Sequence, residues 1–357
     1  MNRTPLYSLH LESQAKMVDF TGYEMPLFYE LGIVKEHLWV RNSCGIFDVS
    51  HMGQIIISGE RVEELLSNIT PTNFYDNALN KAKYTTLLND KCTIIDDIIA
   101  SKIDEGKYFI VVNAARKALD IKWLQKQITN YDCKLEILDS VSLIAVQGKS
   151  AVNVLQKIIA KNIADIPYMN IKSSKYRDEH IFISRTGYTG EDGFEISITD
   201  NLAPILWKEL LEYEEVKPIG LGARDSLRLE MGYPLYGHEL SEEINLGETT
   251  LKWIISSNEN FIGKDNLISK PTKRRVGLKL LDKGIARDNM LIKNCDNEEI
   301  GVLTSAGYSP TIDSSIGQAR IEIDYAKAGT IVFVEIRGKL KKAEITKTSI
   351  IVNNTKK

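Results

Sequence analysis

Residues 84–112 read YTTLLNDKCTIIDDIIASKIDEGKYFIVV, and this stretch decides the architecture. Three runs rich in β-branched and aromatic residues, Tyr84–Leu88, Thr93–Ala100 and Tyr108–Val112, have the composition of strands. Asn89-Asp90-Lys91 separates the first two as a turn, the pattern of a hairpin. Upstream, Gln54–Ser58 reads as another strand, and Val62, Leu65, Leu66 and Ile69 line one face of a short helix. Downstream, Leu119, Trp123, Leu124 and Ile128 stripe a second helix, and Lys134–Leu138 closes the segment as a strand. The order β-α-β-β-α-β, with one extra strand, predicts a ferredoxin-like sheet.

On either side the pattern partly repeats. Ile33, Val34, His37, Leu38 and Arg41 recur at helical spacing, with Gly45 as the expected C-cap. Leu143–Val146 is a strand, and a helix Ser150–Ile159 follows the Gln147-Gly148-Lys149 turn. Ile181–Ser184 and Phe194–Ile198 read as strands, and Ile205–Tyr213 and Arg224–Met231 as helices. From Arg275 the character changes to short strands with turn signals: Val276–Leu280, Glu299–Ser305, Gln318–Ile323, Thr330–Ile336 and Lys342–Thr346. That spacing predicts a small all-β barrel or sandwich, with its boundary near Lys264–Lys273.

Composition bounds the function. A chain of 357 residues predicts two or three domains. The 45 Lys and Arg nearly balance the 48 Asp and Glu, which argues against disorder and against a dedicated nucleic-acid binder. Cys44, Cys92, Cys133 and Cys295 lack the short spacing of a metal or redox pair, and the five histidines lack metal-ligand spacing. The N-terminus has no apolar core of a signal peptide, and no apolar run approaches the ~20 residues that span a bilayer. A cytoplasmic protein is expected.

Three motifs carry candidate chemistry. In strict strand alternation Asp96 shares a face with Ile94 and Ile98, and Asp97 with Ile95 and Ile99. Each carboxylate among isoleucines must be hydrogen-bonded, paired or solvated in a cleft, so a strand-end cap and a ligand site are both open. Arg185–Glu195, RTGYTGEDGFE, is a glycine-rich loop entering a strand; it is neither a P-loop nor a dinucleotide fingerprint. Its Tyr188 and Glu195 suit a flat polar ligand, and an ordinary turn fits as well. In Gly220–Glu230, Arg224 and Arg228 share a helix face, and Asp225 is placed to pair with Arg228. Either this is a salt-bridged helix, or Arg224 turns its fork into a cleft. His37 reads as structural, and His51 gains interest only from Phe47–Gly53 around it.

Taken together, the strings resemble the glycine cleavage T-protein family, tetrahydrofolate-dependent aminomethyltransferases. The matching stretches include Arg3–Tyr7, Ala15–Phe20, Glu24–Pro26, Gly45–Gly53, Ile94–Asp97, Val111–Ala115, Arg185–Glu195, Gly220–Glu230, Leu235–Gly237 and Ser309–Thr311, in order along nearly the whole chain. The resemblance implies an α+β, three-domain cloverleaf around a folate-binding hole. Its parts are a discontinuous first α/β unit (1–52 and 140–270), a second ferredoxin-like unit (53–139) and a C-terminal β-barrel (271–357). It implies Asp97 as the catalytic, pterin-contacting acid, and Met52, Tyr84, Asn113, Tyr168, Tyr188, Glu195 and Arg224 as folate contacts. It further implies tetrahydrofolate as co-substrate, the lipoylated H protein as partner, no metal, and neither nucleic acid nor membrane as partner. Two relatives on the same fold are the alternatives: a folate-dependent demethylase of a sulfur compound or amine, and a non-catalytic folate-binding protein. Departures from the family pattern fall at Tyr23, at Cys92-Thr93, at Asn245-Leu246, at Thr250 and in the tail Ser349–Lys357.

Overall fold

The apolar run Gly53–Gly59 forms a strand buried over its first five residues, because helices cover one face of its sheet and a second sheet abuts the other. The structure is a computed structural model describing residues 1–256 and 260–355. The sheet has the order Ala82–Leu88, Ile94–Asp104, Lys107–Val112, Gly53–Gly59, Cys133–Ile137, all neighbours antiparallel. Without the edge strand Ala82–Leu88 this is the ferredoxin-like order. Helices Val62–Ile69 and Lys117–Ile128 set Leu65, Leu66 and Leu124 on Ile55, Ile57 and Ile110, the core of this layer.

The hairpin of residues 82–104 departs from strict alternation. Leu87 faces Asp96 and Leu88 faces Ile94, so Ile95 is the extra residue of a β-bulge. The bulge shifts the phase of what precedes it. Ile95 joins Ile98 and Ala100 in the helix-side core, whereas Ile94 packs elsewhere, with Leu88, Cys92, Leu240 and Leu246. The expected pairings of Ile94 with Asp96 and of Ile95 with Asp97 are therefore corrected.

The second sheet has six strands: Ile171–Tyr176, Glu179–Ser184, Gly193–Thr199, Val141–Gln147, Cys44–Asp48 and Val216–Pro218. Cys44–Asp48 is inserted from the N-terminal segment, antiparallel to Val141–Gln147 and parallel to Val216–Pro218. Gly45 lies inside this strand and is not a helix cap; helix Gly32–Asn42 ends at Ser43. A Cβ on Gly45 would come within 2.6 Å of Ile219 and Val40, so close packing is what the position requires. Ile171–Tyr176 and the hairpin Lys16–Phe20/Tyr23–Phe28 are further strands that the hydrophobic pattern did not signal.

The two sheets meet face to face. Phe109 and Phe182 lie with ring centroids 5.3 Å apart, and Ile171 packs with Ile56. Backbone bonds from Ala82 to Met169 (2.9 Å) and from Ile171 to Asn80 (2.8 Å) fasten the edges. Residues 273–346 close a six-stranded barrel around Leu278, Leu303, Ile321, Val332 and Ile345. Polar contacts seat the barrel on helix Leu221–Met231: Glu230 accepts from Ser309 Oγ (2.5 Å) and Thr311 Oγ1 (2.8 Å), and Arg228 donates to Ser305 Oγ (2.9 Å). No helix of the described residues is long and apolar enough to cross a membrane.

Candidate functional site

Beyond the bulge, alternation sends Asp96 to the helix side and Asp97 toward the space between the two sheets, which its face-mate Ile99 lines. Tyr84, on the neighbouring strand, donates its hydroxyl to Asp97 Oδ2 at 3.0 Å. Asn113, just past the end of strand Lys107–Val112, donates its side-chain amide to Asp97 Oδ1 and to Asp96 Oδ1, each at 2.9 Å. Burial pushes the Asp97 carboxyl up to about 7, helped by the like charge of Asp96 and opposed by the Tyr84 and Asn113 bonds. Asp97 therefore changes charge near neutral pH, with its charged form held in place by two donors.

Helix Leu221–Met231 distinguishes its two arginines. Arg228 is spent on structure, with Asp225 at 2.8 Å, Glu239 at 3.1 Å and Ser305. Arg224 makes no ion pair among the described residues; its guanidinium lies 4.8 Å over the Tyr188 ring. Burial lowers its pKa, while Glu195 and Tyr188 act in the opposite sense, placing Glu195 within electrostatic reach. Five N–H donors without an acidic partner form an open position for a carboxylate or carbonyl group. Glu195 accepts from Thr186 Oγ1 at 2.6 Å and lines the inter-sheet space with Ile99, Val111 and Leu143.

Aromatic rings form the remaining walls. Tyr188 stacks on Tyr233 with centroids 5.7 Å apart and anchors its hydroxyl on the Pro234 carbonyl. Tyr168 bonds to Tyr233, and Asp97 contributes to raising the Tyr188 pKa, so the two sides of the cleft share one field. Met52 follows strand Cys44–Asp48 and packs beside Phe47, Leu143 and Val111. The folded chain thus gathers Asp97, Tyr84 and Asn113 on one wall, and Tyr188, Glu195, Arg224 and Tyr168 on the other, with Met52 at the junction.

Two aromatic residues were not singled out by sequence. Trp253, a residue 70% exposed, stacks on Tyr84 at 6.0 Å, and Tyr233 stacks on Tyr188. Trp253 lies in the single 3-10 turn Lys252–Ile254 and Tyr233 outside any helix or strand, so tertiary contact is what marks them. His37 contacts Ser226, Thr311 and Glu230, and His51 is buried against Phe20 and Tyr23, its pKa lowered to about 4 by burial. The departures at Cys92 and Leu246 touch one another: Leu246 N donates to the Cys92 carbonyl at 2.9 Å, and both side chains are fully buried in one cluster. Asn245 braces that loop, accepting from Gly247 N (3.0 Å) and donating to the Lys91 carbonyl (3.0 Å). Thr250 accepts from Arg275 at 3.0 Å, and Asn354 of the tail donates to the Gly190 carbonyl (2.8 Å) and to Glu191.

Two sheets packed face to face, a barrel seated on helix Leu221–Met231, and an acid and an arginine facing one cleft make this an α+β protein with one candidate ligand site. Residues 6–259 match the family model for the GCVT N-terminal domain, and residues 273–351 that for the glycine cleavage T-protein C-terminal barrel domain. The aminomethyltransferase of Thermosipho melanesiensis is 42% identical over 353 residues, covering 97% of this chain and 96% of that protein. That of Prosthecochloris aestuarii is 37% identical, covering 98% and 99%. The crystal structure of glycine cleavage system aminomethyltransferase T from Bartonella henselae superposes with a TM-score of 0.95 at 32% identity, covering 100% of this chain and 99% of that one. The chain belongs to the glycine cleavage T-protein family, and it is an aminomethyltransferase.

Proposed function

We propose that this enzyme moves the one-carbon unit of an S-aminomethyldihydrolipoyl arm, carried by the lipoylated H protein of the glycine cleavage system, onto tetrahydrofolate. The carbon's bonds to sulfur and to the amine nitrogen break, and it forms two bonds to folate nitrogens. The two hydrogens displaced from the folate nitrogens go to the departing amine and the sulfur, so ammonia and the dihydrolipoyl thiol leave, and the product is 5,10-methylenetetrahydrofolate. The observation that carries this reading is the pairing, in one cleft, of a carboxyl poised near neutrality with an arginine lacking an acidic partner.

Tetrahydrofolate is the co-substrate, supplying a flat pterin with N–H donors, nucleophilic nitrogens and an acidic tail. The cleft residues fit such a molecule: Asp97 and Glu195 are acceptors, Arg224 offers free donors, and Met52, Tyr84, Tyr168 and Tyr188 offer apolar faces. Asn113 holds Asp97 in position to accept from the pterin. As a fixed carboxylate, Asp97 favours the positive charge that develops on the transferred carbon. Enclosure between the sheets excludes water and converts the encounter of two reactants into a positioned event. In domain terms, the cleft falls between a 1–52/140–270 unit and a 53–139 unit, with 271–357 as the barrel that fixes the helix bearing Arg224.

The test mixes purified protein, tetrahydrofolate and H protein carrying the aminomethyl group, and follows ammonia and methylene-tetrahydrofolate. Turnover that depends on H protein is expected, with free lipoamide adducts far slower because they lack docking energy. Rapid demethylation of a small sulfonium compound, indifferent to H protein, would refute the proposal.

A further inference from the structure

Asp120 lies in the first turn of helix Lys117–Ile128 and is fully buried. Neither of its carboxyl oxygens receives a hydrogen bond from an N–H or O–H among the described residues. Its neighbour within hydrogen-bonding reach is a second acid, the equally buried Asp96. Asp96 already accepts from Asn113, from the backbone N at 3.2 Å and from Nδ2 at 2.9 Å. Two buried carboxyl groups at that range cannot both ionise, whereas one proton between them makes a strong O–H···O⁻ bond.

The surroundings decide where the proton rests. Among the described residues Asp96 receives N–H donors from Asn113 and Asp120 receives none, so Asp120 is the acid and Asp96 the carboxylate. Burial, then the contact with Asp96, pushes Asp120 up to about 10. The cation beside the pair is Arg116, which is committed elsewhere: it bonds to the Ile95 carbonyl (3.1 Å) and Glu242 (2.5 Å) and lies 4.9 Å over the Tyr236 ring. Asp97, across Asn113, and Tyr236, on which both acids act, are further titratable groups facing the pair, and Tyr84 reaches it only through its bond to Asp97.

We propose that Asp120 is a positioning residue that shares a single proton with Asp96, and that this acid pair, if Asp97 works as the reading above assigns, fixes Asn113 and the negative charge behind Asp97. The line of contacts runs from the Asp120 hydroxyl to the Asp96 carboxylate, to the Asn113 amide and to Asp97. Asn113 Nδ2 donates to both strand acids, so its placement depends on Asp96 remaining an anion. The same anion keeps the Asp97 carboxyl raised.

Two variants test this. In Asp120→Asn the amide N–H replaces the acid O–H as donor to Asp96. In Asp120→Leu the donor from position 120 is gone and only Asn113 still donates to Asp96, so the Asp96 carboxylate, left beside an apolar side chain, takes up a proton more readily. The first measurement is the infrared carbonyl stretch of protonated carboxylic acids at about pH 8.5, where ordinary carboxyls are ionised. The second is the pH profile of single-turnover transfer from loaded H protein. We expect Asp120→Asn to lose one protonated-acid band while rescuing the rate and the acid limb. We expect Asp120→Leu to move the acid limb down by about one pH unit, because a neutral Asp96 no longer repels charge on Asp97. An unchanged infrared spectrum in Asp120→Asn overturns the shared proton, and does so even if Asp120→Leu fails to fold. An unchanged acid limb in a folded Asp120→Leu overturns the link to Asp97. Absence of transfer in the unmodified enzyme would defeat the proposed function alone, since the infrared comparison still decides the proton.

Discussion

Replacing Asp97 by Asn separates catalysis from stability in opposite directions. Asn has nearly the shape of Asp, so its Oδ1 can accept from Asn113 Nδ2 while the Tyr84 hydroxyl turns to accept from its amide. Geometry is therefore kept and charge is removed. The folded carboxyl lies at about 7 against an ordinary value of 3.8, so the native state holds the proton more tightly than the unfolded chain between those pH values. Stability consequently falls as pH rises from about 4 to about 7, by about 4 kcal/mol at most for a shift of that size. The Asn variant escapes this loss and should be the more stable protein at pH 8. Its transfer rate should drop by roughly 10²–10³-fold, the scale for losing one preorganised electrostatic group. The assay is single-turnover transfer at saturating folate beside urea unfolding at pH 5 and pH 8. Equal rates would refute the electrostatic role, and a variant destabilised at pH 8 would refute the stated cause of the raised pKa.

Further expectations rest on other parts of the frame. Although burial pushes the Glu230 carboxyl up, its contacts with His37, Ser309 and Arg41 hold it down at about 2. The stability it contributes is complete above about pH 5 and is lost as pH falls toward 2; Glu230→Ala should cost about 3–5 kcal/mol at pH 7 by denaturant unfolding. At Gly193 a Cβ would sit 2.4 Å from the Val146 carbonyl, which is backbone and cannot yield. Gly193→Ala should lower stability by roughly 1–3 kcal/mol and disturb Glu195, so a normal melting temperature with normal folate binding would contradict the packing argument. Burial pushes the Cys44 thiol up to about 12 and the Cys92 thiol up to about 11. Neither supplies a thiolate near neutral pH, so Cys44→Ala and Cys92→Ala proteins that fold should keep turnover within a few-fold; a folded but inactive Cys92→Ala enzyme would overturn this.

The three residues Tyr84, Asn113 and Asp97 show why part of the site was legible and part was not. The Ile94–Ile99 run announced a strand with acids in an apolar setting, because strand alternation and the cost of burying charge are local rules. Those rules could not foresee the bulge at Ile95, which arises from pairing with Leu87 and Leu88 on another strand. Alternation places Asp96 and Asp97 on opposite faces, but it does not reveal that Asn113, past a strand end, donates to both.

Hydrophobic periodicity and turn chemistry determined most helices (though not Tyr7–Glu12), most strands and the change to an all-β tail, since each depends on neighbours a few residues away. Resemblance of ordered motifs added the family and the residues to inspect. What the tertiary structure decided was pairing between distant segments. It inserted Cys44–Asp48 into a sheet otherwise built from residues 141–218, and it brought Cys92 against Leu246. It spent Arg228 on Glu239 and left Arg224 without an ion pair among the described residues, although both occupy the same face of one helix. It also set Asp120 against Asp96, two acids that no local pattern connects. Charge state and partner choice are set by what a fold excludes from water and places nearby, and those neighbours come from separations along the chain that no window of sequence spans.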